Sequence, residues 1–327
     1  MSKKIFVLGL VLVFGGSLLL RSDFEGLVES WLPGDEAGLA SGILLGGSGK
    51  LSTGLKTAYR RVGMLHVVAA SGYNVTIIGG VAMAVAVKLV SKRWAILFVV
   101  LSIILYMYLA GMTASVVRAG IMAILTYAAL LLGRPADGYW VLGIVTGLML
   151  VIRPSYAEDL GFLLSVAATV GVLQANPVIL NVVKDPASSG FFAMLRMTFF
   201  GDLKTTLWAQ LFTTPIILHY FGDLSLIAPV SNALMLWIVP IAMQILLLAL
   251  GMGVVWPFVG ELISYLAYPF LRLMNLGAEF FSQLPLASIS VGKMSWVWVG
   301  AYYVLLIVIL SLRRRIQASL DPSLRSG

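Results

Sequence analysis

Four polar side chains and a glycine interrupt an apolar run at His66-Val67-Val68-Ala69-Ala70-Ser71-Gly72-Tyr73-Asn74. A serine beside a glycine, with a histidine nearby, is the material of a serine hydrolase, whose nucleophile and base must lie within about 3 Å of each other. Helix geometry opposes that chemistry. Five residues of continuous helix turn the chain through about 140°, which puts His66 and Ser71 on different faces. The spacing is better served by a helix broken at Ser71-Gly72, with Asn74 and the opened backbone lining a cavity. At membrane depth such backbone is tolerated only inside protein or beside water. For His66 alone, the plainer alternative is a ring satisfied by its own helix.

Arg118 is the second candidate. Ser115, Arg118, Met122 and Thr126 follow at spacings of three, four and four, so they share one helix face. A charge inside a membrane span costs about 2.5–3.5 kcal/mol on insertion scales. Arg118 therefore either lines an aqueous path for an anion or pairs with a carboxylate to fix helix packing. Glu158 and Asp159 are the expected partners. Two further interrupted helices are marked by Gln210 with Thr213, Thr214 and Pro215, and by Asn232 with Pro229 and Pro240. Each proline frees a backbone carbonyl, and at Pro215 the threonines can satisfy it. Glu261 and Arg272 share a face but lie too far apart to pair directly. His219, at an outer helix end, reads as a solvated histidine.

These residues sit in a chain that is 60% apolar and 11% charged, with a mean hydropathy of +0.99. Soluble domains average about 25% charged. Water-soluble, disordered, collagen-like and coiled-coil classes are excluded, and an all-α polytopic membrane protein is expected. Zero cysteines exclude disulfides, thiolate metal sites and cysteine nucleophiles, and two histidines leave no histidine-rich metal centre. No metal or cofactor is expected.

About twenty apolar residues cross a bilayer as a helix. Ten segments qualify as spans, some of them broken: 5–20, 62–88, 94–110, 112–132, 139–152, 160–180, 204–221, 226–251, 256–284 and 295–312. The first follows Lys3 and Lys4 and reads as an uncleaved anchor. In 21–61, Phe24, Leu27, Val28, Trp31 and Leu32 recur at helical spacing opposite acids, which predicts a short amphipathic helix lying on the membrane interface. Residues 37–46 are small and apolar but too short to span, so a re-entrant helix is expected there. A channel domain over 62–312 and a basic tail over 313–327 complete the organisation.

With the N-terminus inside and sides alternating, 13 of the 22 Lys and Arg fall on the cytoplasmic side and 7 outside, while acids favour the outside. This supports both termini in the cytoplasm. Trp31, Tyr106, Tyr108, Tyr139, Trp140, Tyr156, Tyr220, Trp296 and Trp298 fall near span ends, as an interfacial belt does. Gly143 and Gly147 form a GxxxG, a helix-packing device.

Taken in order along roughly residues 40–312, the motifs resemble those of ComEC-type competence proteins, the inner-membrane channels of DNA uptake. Gly63 to Val75 looks like that family's G-x-x-H-x-x-A-x-S-G-x-H/N signature, and Gly46 like its preceding L-L-G turn. Arg118-Ala119 with Met122, then Gly133-Arg134 and Asp137, are similar to its R-A-x-x-M and G-R-x-x-D elements. Pro154 and Gly161-Phe162-Leu163-Leu164-Ser165 resemble its P…G-F-x-L-S stretch. Ala209-Gln210, Pro215, Phe221-Gly222, Asn232 and Pro240 follow its later series. Asn74 stands where many members carry a second histidine, and Leu163 where many carry glutamine.

The resemblance implies a channel passing single-stranded DNA into the cytoplasm, with no enzymatic activity of its own. It implies a path lined by His66, Ser71, Gly72, Asn74, Ser115, Arg118, Asp159, Ser165, Gln210 and Asn232. The oligonucleotide-binding and metallo-β-lactamase-like domains of larger members are not expected in this chain. A separate DNA receptor, a nuclease and a cytoplasmic ATP-driven motor are the implied partners, besides the single strand and membrane lipid. A small-molecule or lipid transporter, and an intramembrane hydrolase, are the competing readings.

Overall fold

The computed structural model describes residues 21–47, 49–134, 136–175 and 191–320. The expected anchor 5–20, the end of the sixth segment and residues 181–190 of the following polar stretch lie outside the described residues. The fold is nearly all helical, with one short antiparallel ribbon.

The first helices are α1 (Arg21–Trp31), α2 (Gly34–Leu45), α3 (Thr53–Arg61), α4 (Leu65–Val68) and α5 (Gly72–Leu89). Ala69 and Ser71 are extended (ψ 143° and 168°), so the segment 62–88, expected to break at Ser71-Gly72, is two helices with the break at 69–71. Next come α6 (Lys92–Leu109), α7 (Ala114–Leu131), α8 (Gly138–Ile152), a 3-10 turn (Pro154–Glu158) and α9 (Leu160–Ala175). Left-handed Gly111 and Met112 reverse the chain between α6 and α7. Asp137 starts α8 by accepting from the Tyr139 and Trp140 amides at 2.9 and 3.0 Å.

α10 (Phe191–Tyr220) leads into β1 (Asp223–Ser225), α11 (Ala228–Met235) and α12 (Ile238–Gly253). α13 (Pro257–Tyr265), α14 (Tyr268–Gln283), β2 (Ser288–Ser290) and α15 (Trp296–Leu320) complete the chain, and β1 pairs with β2 in the register Leu224 to Ile289. α11 and α12 meet at 45°, and the ninth segment is split into α13 and α14. By length and composition, α5 can cross a bilayer unbroken, and the bent α11–α12 pair qualifies if it is one span. Several other apolar helices, from Arg93–Leu109 to Trp296–Leu312, are shorter.

Three expectations are corrected. α1 does not lay its apolar face on lipid, because Phe24, Val28 and Trp31 are buried in the same core as α2, α12 and α14. α10 is not interrupted at Pro215. Proline removes the donor that the Leu211 carbonyl needs, and the Tyr302 hydroxyl of α15 supplies it at 2.9 Å, with Tyr303 donating to Phe212 at 2.7 Å. Thr213 and Thr214 bond further back, to the Ala209 and Gln210 carbonyls. His219 is not merely solvated, for its Nδ1 lies 2.7 Å from the Met294 carbonyl and its ring lies against Trp296.

The largest buried cluster joins α1, α2, α5, α6, α7, α12 and α14, and α2 runs through it with ten of its twelve residues buried. Two small clusters lie apart from it, one between α8 and α9 around Val145, Met149 and Phe162, the other between α9, α10 and α15 around Phe212, Ile216 and Leu306. Outside the core, α1 is tied to the following loop by ions: Arg21 to Glu25 at 2.7 Å, and Lys50 to both Glu25 and Glu29. Partial burial pushes the Glu25 carboxyl up, but hydrogen bonds and charge from Arg21 and Lys50 outweigh it and hold the group below its ordinary value. The hydrogen bond to Glu29, with further help from Glu25, raises Lys50.

Candidate functional site: a helix break beside a buried arginine

The break is built from the end of α2 outward. A helix leaves its last carbonyls without internal partners. In α2, Gly46 N–H returns to the Gly42 carbonyl at 2.9 Å, Asn74 Nδ2 donates to the Ile43 carbonyl at 2.8 Å, and Arg21 Nη2 donates to the Gly46 carbonyl at 2.5 Å. Asn74 is therefore a fixed strut between α2 and α5, buried, and it also accepts from the Ser71 hydroxyl at 3.3 Å. The glycines of α2 permit the approach. A Cβ at Gly42 would stand 2.7 Å from the Val68 carbonyl, and one at Gly46 2.5 Å from the Ala70 Cβ.

The other wall is α7. Ser115 Oγ donates to the Ala70 carbonyl at 3.4 Å, and Arg118, one turn on, is 4% exposed. Arg118 Nε and Nη2 both donate to the Ser165 hydroxyl of α9, at 3.0 and 2.7 Å, and Nη1 contacts the Met122 sulfur at 2.9 Å. Those three contacts leave two of its five N–H donors unspent. Among the described residues Arg118 has no ion-pair partner. The expected pairing with Glu158 or Asp159 is absent, because Asp159 is engaged in starting α9, accepting from the Phe162 amide at 2.7 Å. A Cβ on Gly72 would lie 3.2 Å from the Ala119 Cβ and 3.8 Å from Arg118 Nη2, so the opening residue of α5 faces the guanidinium directly.

The remaining candidates divide. His66 is exposed, its Nδ1 3.1 Å from the Gly63 carbonyl, while Ser71 bonds Asn74, so the two are not hydrogen-bonded to each other. Gln210 and Asn232 belong to a second group. Gln210 Nε2 donates to the Ser225 carbonyl at 2.9 Å, and among the described residues the buried side-chain oxygens of Gln210 and Asn232 have no hydrogen-bond partner. Ser231 Oγ, donating to the Val62 carbonyl at 3.0 Å, connects this group to the chain leading into the break.

Some polar partners escaped sequence reasoning. Glu36, buried in the first turn of α2, is met by Arg272 Nη1 at 3.1 Å from 236 residues away. Tyr302 and Tyr303 offered a local signal, two hydroxyls within an apolar helix that had to find acceptors.

A strongly apolar bundle of helices, with a helix opened at a partly buried break and a buried cation that has no counter-charge among the described residues, fits a helical protein of membrane type. The chain belongs to the competence protein family, whose family model, described as "Competence protein", matches residues 43–316. It is similar to ComE operon protein 3 of Bacillus subtilis (strain 168), at 27% identity over 220 residues, which cover 67% of this chain and 26% of that protein. The chain thus matches about a quarter of that relative's length. No solved structure matches it.

Proposed function

We propose that this chain acts in DNA uptake during competence as the membrane channel that passes single-stranded DNA into the cytoplasm. The observation that carries the reading is Arg118: buried at 4% exposure, held by a hydroxyl and a thioether, and facing the first residue of α5. A guanidinium kept for packing is normally matched by a carboxylate, since an unmatched buried charge is costly. One matched only by neutral groups is available to a passing phosphate, and its spare N–H donors suit phosphate oxygens. Ser165 holds it, and Ser71 and Ser115 add hydroxyls along the break and the facing turn of α7, groups that carry no sequence preference, as a strand channel requires.

In this reading the helices cross the inner membrane about ten times, with both termini cytoplasmic, and the shorter ones cross where the protein or a water-filled path shortens the distance. The protein works without catalysis of its own. His66 and Ser71, each bonded elsewhere, lend a hydrolase no support. A DNA receptor, a nuclease and an ATP-driven motor act as separate partners.

The test is transformation of a deletion strain complemented with this chain. Arg118→Gln should cut uptake at least tenfold with normal membrane levels, and Arg118→Lys should retain more. Loss of the protein from the membrane in Arg118→Gln would make Arg118 a packing residue. Unchanged uptake would remove it from the path. Labelling of Ser71 by a serine-directed phosphonate, with Ser71→Ala inactive, would replace the channel by an enzyme.

A further inference from the structure

Just before the break, α3 ends in Arg60 and Arg61, both exposed. The other face of α3 is committed to the fold, with Leu55, Ala58 and Tyr59 buried and the Tyr59 hydroxyl donating to Asn275 at 3.0 Å. The two arginines are thus displayed by a helix whose packing does not need them, and among the described residues neither makes an ion pair. The Arg60 guanidinium lies 5.7 Å from the centre of the Phe221 ring, which is 43% exposed.

From Phe221 the surface continues across the ribbon. Gly222, at φ +74°, packs so closely that a Cβ there would stand 3.3 Å from the Lys293 amide. His219 is held by the Met294 carbonyl, which places its ring 4.2 Å from that of Trp296, itself 52% exposed. Residues 60–61, 219–221 and 293–296 therefore form one continuous surface, with a cation beside an exposed ring at each end: Arg60 over Phe221, and Lys293 three residues before Trp296. Asp223 is the acid in this stretch, against Arg60, Arg61 and Lys293.

Interfacial aromatics anchor a protein to lipid, and that is the ordinary use of rings at helix ends. Two features point elsewhere. Trp296 packs against His219 and Tyr220, and Phe221, next in the chain, carries a guanidinium over its face, instead of each ring standing apart around the perimeter. They also adjoin the break: Gly63, which follows the arginines, packs on Ser225 and Ala228, and the chain then reaches exposed His66.

We propose that this surface is the landing site for single-stranded nucleic acid on its way to the break. Arg60, Arg61 and Lys293 meet phosphates, and Phe221 and Trp296 stack bases, the pairing of cations and ring faces by which proteins hold single strands without sequence preference. The inference rests on the channel reading and specifies where the strand first binds.

The experiment measures fluorescence anisotropy of a labelled oligothymidylate with the full chain in nanodiscs of phosphatidylcholine alone. Arg60→Glu with Arg61→Glu should weaken binding about tenfold or more, and should flatten the salt dependence by about 1.4 in log–log slope, since each phosphate contact to a single strand contributes about 0.7. Trp296→Ala should weaken binding by about five- to a hundredfold while keeping the slope. Lys88→Glu with Arg93→Glu, an equal charge change at the turn between α5 and α6, should stay within about twofold.

Equal loss in that control pair would reduce the effect to bulk charge and overturn the proposal, as would unaltered binding in both surface variants. Variants that change only flotation with phosphatidylglycerol vesicles would make the surface a lipid anchor and overturn it too. Should the double reversal fail to fold, Arg60→Gln with Arg61→Gln must weaken binding in the same direction. Uptake by Arg118→Gln judges the channel and oligonucleotide affinity judges the landing site, so either can fail alone.

Discussion

α2 and α8 are both apolar helices carrying glycines four residues apart, and the protein uses them in opposite ways. In α2, ten of twelve residues are buried, and Cβ atoms on Gly38 and Gly42 would stand 2.7 Å from the Lys50 and Val68 carbonyls. In α8, three of fifteen residues are buried, and Cβ atoms on Gly143 and Gly147 would meet no described residue within 4 Å. The spacing is the same, so the spacing does not decide. What differs is the backbone opposite. α2 lies against the turn at Lys50 and the end of α4 at Val68, and only glycine lets two backbones approach so closely there. The glycines of α8 face away from every described residue. The region around α2 therefore holds the break in shape, while the region around α8 supplies apolar surface.

The largest effect that would break this contrast is at Gly42. Gly42→Val must push β-branched bulk into the Val68 backbone, which cannot yield as a side chain end can. Overpacking of a close contact costs about 1–3 kcal/mol, and here it also separates α2 from the break. The variant should be depleted from the membrane, or melt at a clearly lower temperature in detergent. Normal levels and an unchanged melting temperature would show that α2 does not support the break.

Next in size is Asn74→Asp. The carboxylate keeps the shape but has no N–H for the Ile43 carbonyl. Leaving a buried acceptor unpaired costs about 1–3 kcal/mol. Thermal melting should fall by several degrees, and Asn74→Gln should not restore it, because the longer amide cannot occupy the same place.

Much of α6 to α9 was legible in the sequence, because each apolar run there ends at a turn residue with a local reason to stop: Gly111, Gly133 or Pro154. The break at 69–71 was legible for the same kind of reason, a cluster of polar residues and glycine inside an apolar run. Partners remote in the chain were not. Arg118 faces Ser165 from 47 residues away, and Glu36 meets Arg272 from 236, and nothing local distinguishes those residues from alternatives such as Asp159. The carbonyl freed by Pro215 was expected to find threonines one turn away and instead found Tyr302, because a donor from the adjacent helix fits better than one bound to its own turn. The faces of α1 followed the same rule. Periodicity located the apolar side, but whether protein or lipid covers it depends on tertiary packing.

A smaller effect is expected where charge ties α1 to the loop at Lys50. Glu25 has its folded value held below the ordinary 4.5 by Arg21 and Lys50. A depressed carboxyl contributes stability that is full above the unfolded value and is lost as pH falls through the folded one. Melting temperature should therefore be flat from neutral pH to about 5 and then fall further in the native protein than in Glu25→Gln. Because the pairs are partly exposed, salt should shrink the difference. Identical acid profiles would mean the ions do not hold α1.

The smallest effect is the one that completes the comparison. Gly147→Ala places a methyl on the exposed side of α8 where no described residue lies within 4 Å. Within a helix, alanine is favoured over glycine by about 0.5–1 kcal/mol because glycine loses more freedom on folding. The variant should thus melt at the same temperature as the native protein or slightly higher, with uptake unchanged, although the same substitution at Gly42 brings a Cβ to 2.7 Å from the Val68 carbonyl. A destabilised Gly147→Ala would mean that α8 packs closely against something beyond the described residues, and the GxxxG would then be a packing surface. Measuring melting in detergent and again in lipid tells whether that something is a partner copy: one lost in detergent would leave the destabilisation visible in lipid alone.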